Sequence, residues 1–171
     1  TKALFSNNVF FHSDIAWFNI PYRLFLHHTV QNGNSPLWCP YILNGYPLHA
    51  SPQLGLFYPF NWAFFTSLPP LIVYKYIVLV HYFLAGLFTY LYARRINLSS
   101  PAALFSGITF AFSGFMVTHL EHLNIMNAAV WLPLILLLLE TAIQHRKFIY
   151  AVVSGFVFAI QFFAGHPQIS F

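Results

Sequence analysis

An all-α membrane protein that crosses the bilayer several times is the fold class the sequence predicts, and three observations predict it. Hydrophobic residues fill 58% of the 171 positions and charged residues only 6%, too few charges for the surface of a water-soluble globule. The apolar residues gather in four long runs, residues 71–93, 102–118, 125–143 and 148–164, close to the roughly 20 residues a helix needs to cross the hydrocarbon core. Two basic pairs, Arg94-Arg95 and Arg146-Lys147, lie between those runs, and basic residues in short loops stay on the cytoplasmic side.

The basic pairs set the direction of each element in turn. Residues 1–70 form a first extracytoplasmic loop, run 71–93 leads inward, the next returns, the third re-enters and the fourth emerges near Gly165. Residues 119–126 and 165–171 therefore face outward with the first loop. That loop is too rich in proline to span a bilayer and too aromatic for a disordered tail. From Asp14 to Val30, apolar residues such as Ile15, Phe18 and Leu24 or Phe25 recur at helical intervals, which predicts an interfacial helix with Ser13 or Asp14 at its start. Pro21 should kink or divide that helix. Asn32-Gly33 marks a turn, and Pro36, Pro40, Pro47, Pro52 and Pro59 exclude a continuous helix beyond it. The expectation is an ordered loop on the membrane surface, with Trp38, Tyr41, Tyr46, Phe57, Tyr58 and Trp62 at headgroup depth. Ser99 or Ser100 before Pro101 reads as the cap and first position of the second spanning helix. Asn97-Leu98-Ser99 matches a glycosylation acceptor but falls in a cytoplasmic loop, a chance match.

The remaining features narrow the class. A formal charge of +4 comes from basic residues scattered along membrane flanks, so no phosphate-tracking patch for nucleic acid exists. The single cysteine, Cys39, makes no internal disulfide. No cleavable signal peptide is visible in residues 1–11. With no initial methionine and an apolar end at Phe171, the chain reads as part of a longer protein, with one helix before it and several after.

Three carboxylates are available for chemistry. Glu140 lies beside Arg146 and Lys147 and is expected to form a local ion pair. Asp14 opens the interfacial helix, where an N-cap and a catalytic acid can be the same residue. Glu121 sits in His119-Leu120-Glu121-His122, an outer turn whose histidines, three apart, can share a face. The spacing is not the His-Glu-x-x-His zinc pattern, so Asp14, His119, Glu121 and His122 are metal candidates without a metal motif, against a simple hydrogen-bonded turn. His166-Pro167-Gln168 reaches the same side. Topology thus lets Asp14, Arg23, His49, Gln53, Glu121, His122, His166 and Gln168 converge on one outward cavity. There a carboxylate can deprotonate an acceptor hydroxyl or help hold a divalent ion, while Arg and His stabilise a leaving phosphate. A lipid-phosphate sugar fits that setting, whereas a nucleotide donor finds no glycine-rich phosphate cradle.

The motifs Asp14-x6-Pro21-x-Arg23, Pro36-Leu37-Trp38-x-Pro40-Tyr41, Gly45-x-Pro47, Ala50-Ser51-Pro52-Gln53 and Phe57-Tyr58-Pro59-x-Asn61 occur in that order. Ser113-Gly114-Phe115-Met116, His122-Leu123-Asn124, Asn127-Ala128 and Gly165-His166-Pro167-Gln168 follow them. Together they resemble the N-terminal part of bacterial YfhO-like membrane proteins over nearly the whole chain, with Cys39 in place of an expected asparagine and Trp17-Phe18 in place of more polar residues. The resemblance implies a GT-C-like transmembrane helix bundle in the cytoplasmic (plasma) membrane. It also implies a glycosyltransferase that moves a sugar from a polyprenyl-phosphate donor to a cell-envelope acceptor such as teichoic acid. Asp14 takes the place of the catalytic acid, as general base or metal-binding acid. Arg23 and His122 are then candidates for phosphate or leaving-group stabilisation, and Gln53, His166 and Gln168 for sugar or loop contacts. The competing expectation is a non-catalytic transporter or assembly partner for envelope polysaccharide. A transporter should carry polar groups near mid-span, where only His81 lies, and tyrosine or backbone partners would satisfy it.

Overall fold

The computed structural model describes residues 15–170, and the chain is an all-α membrane bundle with almost no sheet. Three helical stretches are long and apolar enough to cross a membrane: Pro70–Arg95, Ser100–Glu121 and Leu123–His145. A shorter apolar helix, Phe148–Phe163, follows. They correspond to the four runs of the sequence. The chain is thus a multi-pass membrane protein.

The interfacial helix, α1 (Ile20–Gln31), is preceded by a π-helical turn at Ile15–Asn19. Pro21 lies in the first turn of α1, where its missing N–H is least missed and the wider π turn gives way to α geometry. The buried face differs from the expected one. Ile15, Asn19, Arg23 and Leu26 point inward at intervals of four, four and three, whereas Phe18, Leu24 and Phe25 are half-buried. Two polar residues therefore occupy the packed face.

The following loop holds a two-residue antiparallel pair, β1 (Trp38–Cys39) with β2 (Tyr46–Pro47), in which Trp38 faces Pro47 and Cys39 faces Tyr46. Three 3₁₀ turns, Leu48–Ala50, Pro52–Leu54 and Pro59–Phe65, complete it. Leu26, Cys39, Leu48, Leu54 and Leu56 form its own small core.

The spanning part starts with α2 (Pro70–Arg95), which packs chiefly on α3 (Ser100–Ala111). These two approach most closely at two glycines: a Cβ on Gly107 would stand 2.6 Å from the Gly86 carbonyl oxygen. Small residues at such a crossing let backbones touch where lipid offers no hydrophobic drive. Ser99 is the N-cap of α3 and Pro101 lies in its first turn, as expected, although the Ser99 side chain makes no cap hydrogen bond.

Both later runs are interrupted, which the sequence reading did not anticipate. The second breaks after α3 and restarts as α4 (Gly114–Thr118), whose N-cap Ser113 accepts the Met116 N–H at 3.3 Å. Tyr82 of α2 donates to the Met116 carbonyl at 3.1 Å. The third divides into α5 (Leu123–Ala129) and α6 (Leu132–His145). Pro133, in the first turn of α6, has no N–H to offer the Ala129 carbonyl. Gln161 of α7 (Phe148–Phe163) supports the break by donating to the Ala128 carbonyl at 3.0 Å, and Ser154 donates to Ile135 at 3.3 Å. Broken helices at membrane depth persist where neighbours re-satisfy the backbone in this way.

The loop is not confined to the surface. Tyr58 is fully buried, and its hydroxyl lies 2.5 Å from His81 Nε2 while Trp131 Nε1 donates to it at 2.9 Å. His81 is eleven residues past the start of α2, or roughly 17 Å down its axis. Its Nδ1 donates to the Ile77 carbonyl at 2.6 Å, so the tyrosine hydroxyl gives its proton to Nε2 and the chain of donors closes without a charge. Tyr58 is therefore a plug that pins the first loop into the bundle, not the headgroup anchor expected of it. Trp38, Tyr41, Phe57 and Trp62 do remain exposed. Replacing Tyr58 by Phe should leave Trp131 Nε1 and His81 Nε2 unpaired in a dry site, costing about 2–4 kcal/mol for two orphaned groups; denaturant melts of purified protein would measure it, and an unchanged midpoint would contradict the plug.

Glu140 is likewise reassigned. Its partner is Gln144 one turn on, whose Nε2 donates to Oε1 at 2.5 Å, and no ion pair to Arg146 or Lys147 appears among the described residues.

Candidate functional site

Alternating helix directions bring the first loop, the 119–122 turn and residues 165–170 to one end of the bundle, while Arg94, Arg95, Arg146 and Lys147 fall at the connections of the other end. The catalytic candidate Asp14 lies outside the described residues. Its neighbour Ile15 is buried in the main core with Tyr74 and Leu123, so the chain enters α1 against the top of α2 and α5.

One group of polar residues forms under α1. Asn19 Nδ2 donates to the Glu121 carbonyl at 3.1 Å, and Tyr74 Oη donates to the Leu120 carbonyl at 3.5 Å, which together clamp the 119–122 turn to α1 and α2. Arg23 is 3% exposed and lies over the Phe64 ring at 4.5 Å, a cation–π contact. Its Nε and Nη1 have no hydrogen-bond partner among the described residues. Burial lowers its pKa to about 10, opposed by the nearby Tyr74, so the guanidinium stays charged at neutral pH. His27 Nδ1 holds the Phe64 carbonyl at 3.1 Å and keeps the ring under Arg23 in place.

The turn itself presents His119, Glu121 and His122. His119 Nδ1 donates to the Phe115 carbonyl at 2.8 Å and its ring stacks near Phe115, 4.4 Å between centroids. His122 Nδ1 stands 3.9 Å from Glu121 Oε1, and the two histidine rings are 6.0 Å apart. Among the described residues no three His, Cys, Asp or Glu side chains are grouped to hold a metal ion. Of the metal candidates, His119, Glu121 and His122 thus form no such group, and Asp14 lies outside the described residues.

A second group lies beside the first. Gln53, His166 and Gln168 line a hollow of about 360 Å³. Burial lowers the His166 pKa, and the neighbouring His122 and His119 lower it further, so the ring is neutral at pH 7. This hollow exists because two backbones nearly touch. Gly165 has φ +101°, and a Cβ there would stand 2.0 Å from the Pro52 carbonyl oxygen; Gly55 has φ +54°, and a Cβ there would stand 3.0 Å from the Ala164 carbonyl oxygen. Asn61 Nδ2 donates to the carbonyls of Gly55 at 2.9 Å and Leu54 at 3.3 Å, and Asn124 Nδ2 reaches the Gly165 carbonyl at 3.4 Å.

The expected convergence therefore resolves into two adjoining groups. Gln53, His166 and Gln168 share one hollow, with His122 and His119 close to His166. Arg23 faces the other group, packed under α1. His49, exposed, lies 3.3 Å through Nδ1 from the Leu37 carbonyl and lines a neighbouring apolar hollow. Asn61 and Asn124, which build the frame with Asn19, stand in the quoted motifs without a role of their own, and Asn19 is signalled only by its four-residue spacing from Ile15 and Arg23.

A family model described as bacterial membrane protein YfhO matches residues 42–167. No curated protein and no solved structure matches the chain.

Proposed function

The chain belongs to the bacterial membrane protein YfhO family, and from that premise we propose that it is the N-terminal part of an integral membrane glycosyltransferase of GT-C type. The donor is a polyprenyl-phosphate sugar and the acceptor a cell-envelope glycan, with the reaction on the outer face of the plasma membrane. In this reading α7 crosses as a fourth span completed by its flanks, and both basic pairs face the cytoplasm.

The observation that carries the reading is the joining of three separate segments into one polar end, framed by Asn19, Asn61 and Asn124 and lined by Gln53, His166 and Gln168. Amides and a neutral imidazole both give and accept hydrogen bonds, which suits sugar hydroxyls. Asp14, the residue before Ile15 in the sequence, takes the proton of the acceptor hydroxyl as it attacks the anomeric carbon, and the bond to the donor phosphate breaks. His122 stabilises the departing phosphate. Arg23, buried beneath, contributes through its charge, which acts farther in a low-dielectric setting than in water. Engagement of His81 by Tyr58 and Ile77 leaves it no role on a transport path.

Sugar transfer from a polyprenyl-phosphate donor, measured in membranes containing the complete protein, tests the proposal. Transfer above control membranes is expected. Donor binding without turnover, across several donor sugars, would instead mark a scaffold for envelope polysaccharide assembly.

A further inference from the structure

The polar hollow has an apolar twin. Leu56, Phe57, Phe162 and Phe163 line a second hollow of about 280 Å³, and the two share Pro52, Gly165 and Pro167 as their common wall. The Phe57 and Phe163 rings meet edge to face with centroids 6.2 Å apart. Phe57, Phe162 and Phe163 are each about half exposed, at the point where α7 ends and the chain leaves the membrane-depth helix. Among the described residues neither hollow is lined by an Asp, Glu, Lys or Arg, and partial burial lowers the His166 pKa, which disfavours its charged form.

A polar, uncharged chamber beside an apolar, lipid-level trough matches a molecule with a hydroxyl-rich head on a hydrocarbon tail. An anionic head would find no Lys or Arg in either lining among the described residues, and the buried Arg23 belongs to the other group. Resting on the glycosyltransferase reading, we infer that this paired hollow is the seat of the acceptor, and that the acceptor is presented as a neutral glycolipid. Its sugar contacts Gln53, His166 and Gln168, and the first part of its chain lies over Phe57, Phe162 and Phe163. The occupant is a lipid because the trough is walled by phenylalanines at the end of the apolar helix α7 and is continuous with the sugar chamber through a shared wall.

The test uses the complete protein in lipid nanodiscs and native mass spectrometry. Three probes are compared: a glycosyl-diacylglycerol, the same diacylglycerol without sugar, and an anionic phosphatidylglycerol. The glycolipid should be retained at least tenfold more than either other lipid. The paired variant Gln53→Leu with Gln168→Leu should reduce that preference to within twofold, and Phe163→Ala should weaken retention of both diacylglycerol lipids. Both changes lie at exposed positions, and thermal midpoints close to wild type would confirm folding. Equal retention of all three probes, stronger retention of the anionic lipid, or an unchanged preference in the paired glutamine variant would each overturn the inference. Glycolipid preference without sugar transfer would remove the enzyme reading and leave a glycolipid-binding site; transfer without that preference would remove this inference alone.

Discussion

Asp14→Asn in the complete protein is expected to lower sugar transfer by about 10²–10⁴-fold, the range a positioned general base contributes. Asparagine is the informative replacement because it keeps the size and the side-chain oxygen acceptor of aspartate while removing its charge and basicity, and α1 itself starts from Asn19. Ile15 should stay packed against Tyr74 and Leu123, and Asn19 should still hold the 119–122 turn. Removal of the acid alone is then read out in the rate. Asp14→Ala would remove the side-chain oxygens that asparagine keeps as well as the charge, and is the poorer test. Transfer within a few-fold of wild type in a folded Asp14→Asn protein would strip Asp14 of its catalytic role.

Gly165→Ala should be the most damaging small substitution at the end of the bundle that carries the first loop. The left-handed φ alone costs a side chain about 1–3 kcal/mol, and the Pro52 carbonyl oxygen, 2.0 Å from where the Cβ would stand, cannot be moved aside like a flexible side chain. Relieving the contact means parting the 52–55 turn from the end of α7. We expect a loss of at least about 3 kcal/mol in unfolding free energy, together with faster protease cleavage near residues 48–57. Gly114→Ala, at a position with no atom in reach of the added Cβ, is the control and should melt near wild type. A Gly165→Ala protein as stable as that control would mean the two backbones are not held together as described.

Much of this architecture was legible in the sequence because membrane solvation is a strong, local rule. The four apolar runs mark where the apolar helical stretches lie, the two basic pairs say which loops share a side, and the structure gathers those loops at one end. The family itself was carried by ordered motifs, matched here over residues 42–167. What composition could not reveal was depth. Tyr58 has the ring type of an interface anchor, and only its long-range partners, His81 and Trp131, show that it is buried. The same holds for α1, where hydrophobicity favoured Phe18 and Leu24 or Phe25 as the packed stripe. Asn19 and Arg23 took that place because the 119–122 turn offers a carbonyl to one and Phe64 offers a ring face to the other. The breaks at Ser113 and Trp131 escaped notice for a related reason: Pro133 announces one, but whether a neighbour such as Gln161 will support it depends on a helix thirty residues away. At the candidate site, the grouping of Gln53 with His166 and Gln168 followed from sidedness, while the separation of Arg23 from them needed coordinates.

The long reach of the Tyr58 plug has a consequence for biogenesis. Tyr58 leaves the ribosome 73 residues before Trp131, and the 52–55 turn waits still longer for Gly165. At the usual pace of about 5–20 residues per second, the first loop spends several seconds outside the bundle with its tyrosine, asparagine and glycine contacts unmade. Its final seating is thus a late closing step that requires α6 and α7 already to be in place. Until then the segment is open to proteolysis, and defects in α7 would be felt first as degradation of the loop that was synthesised long before it.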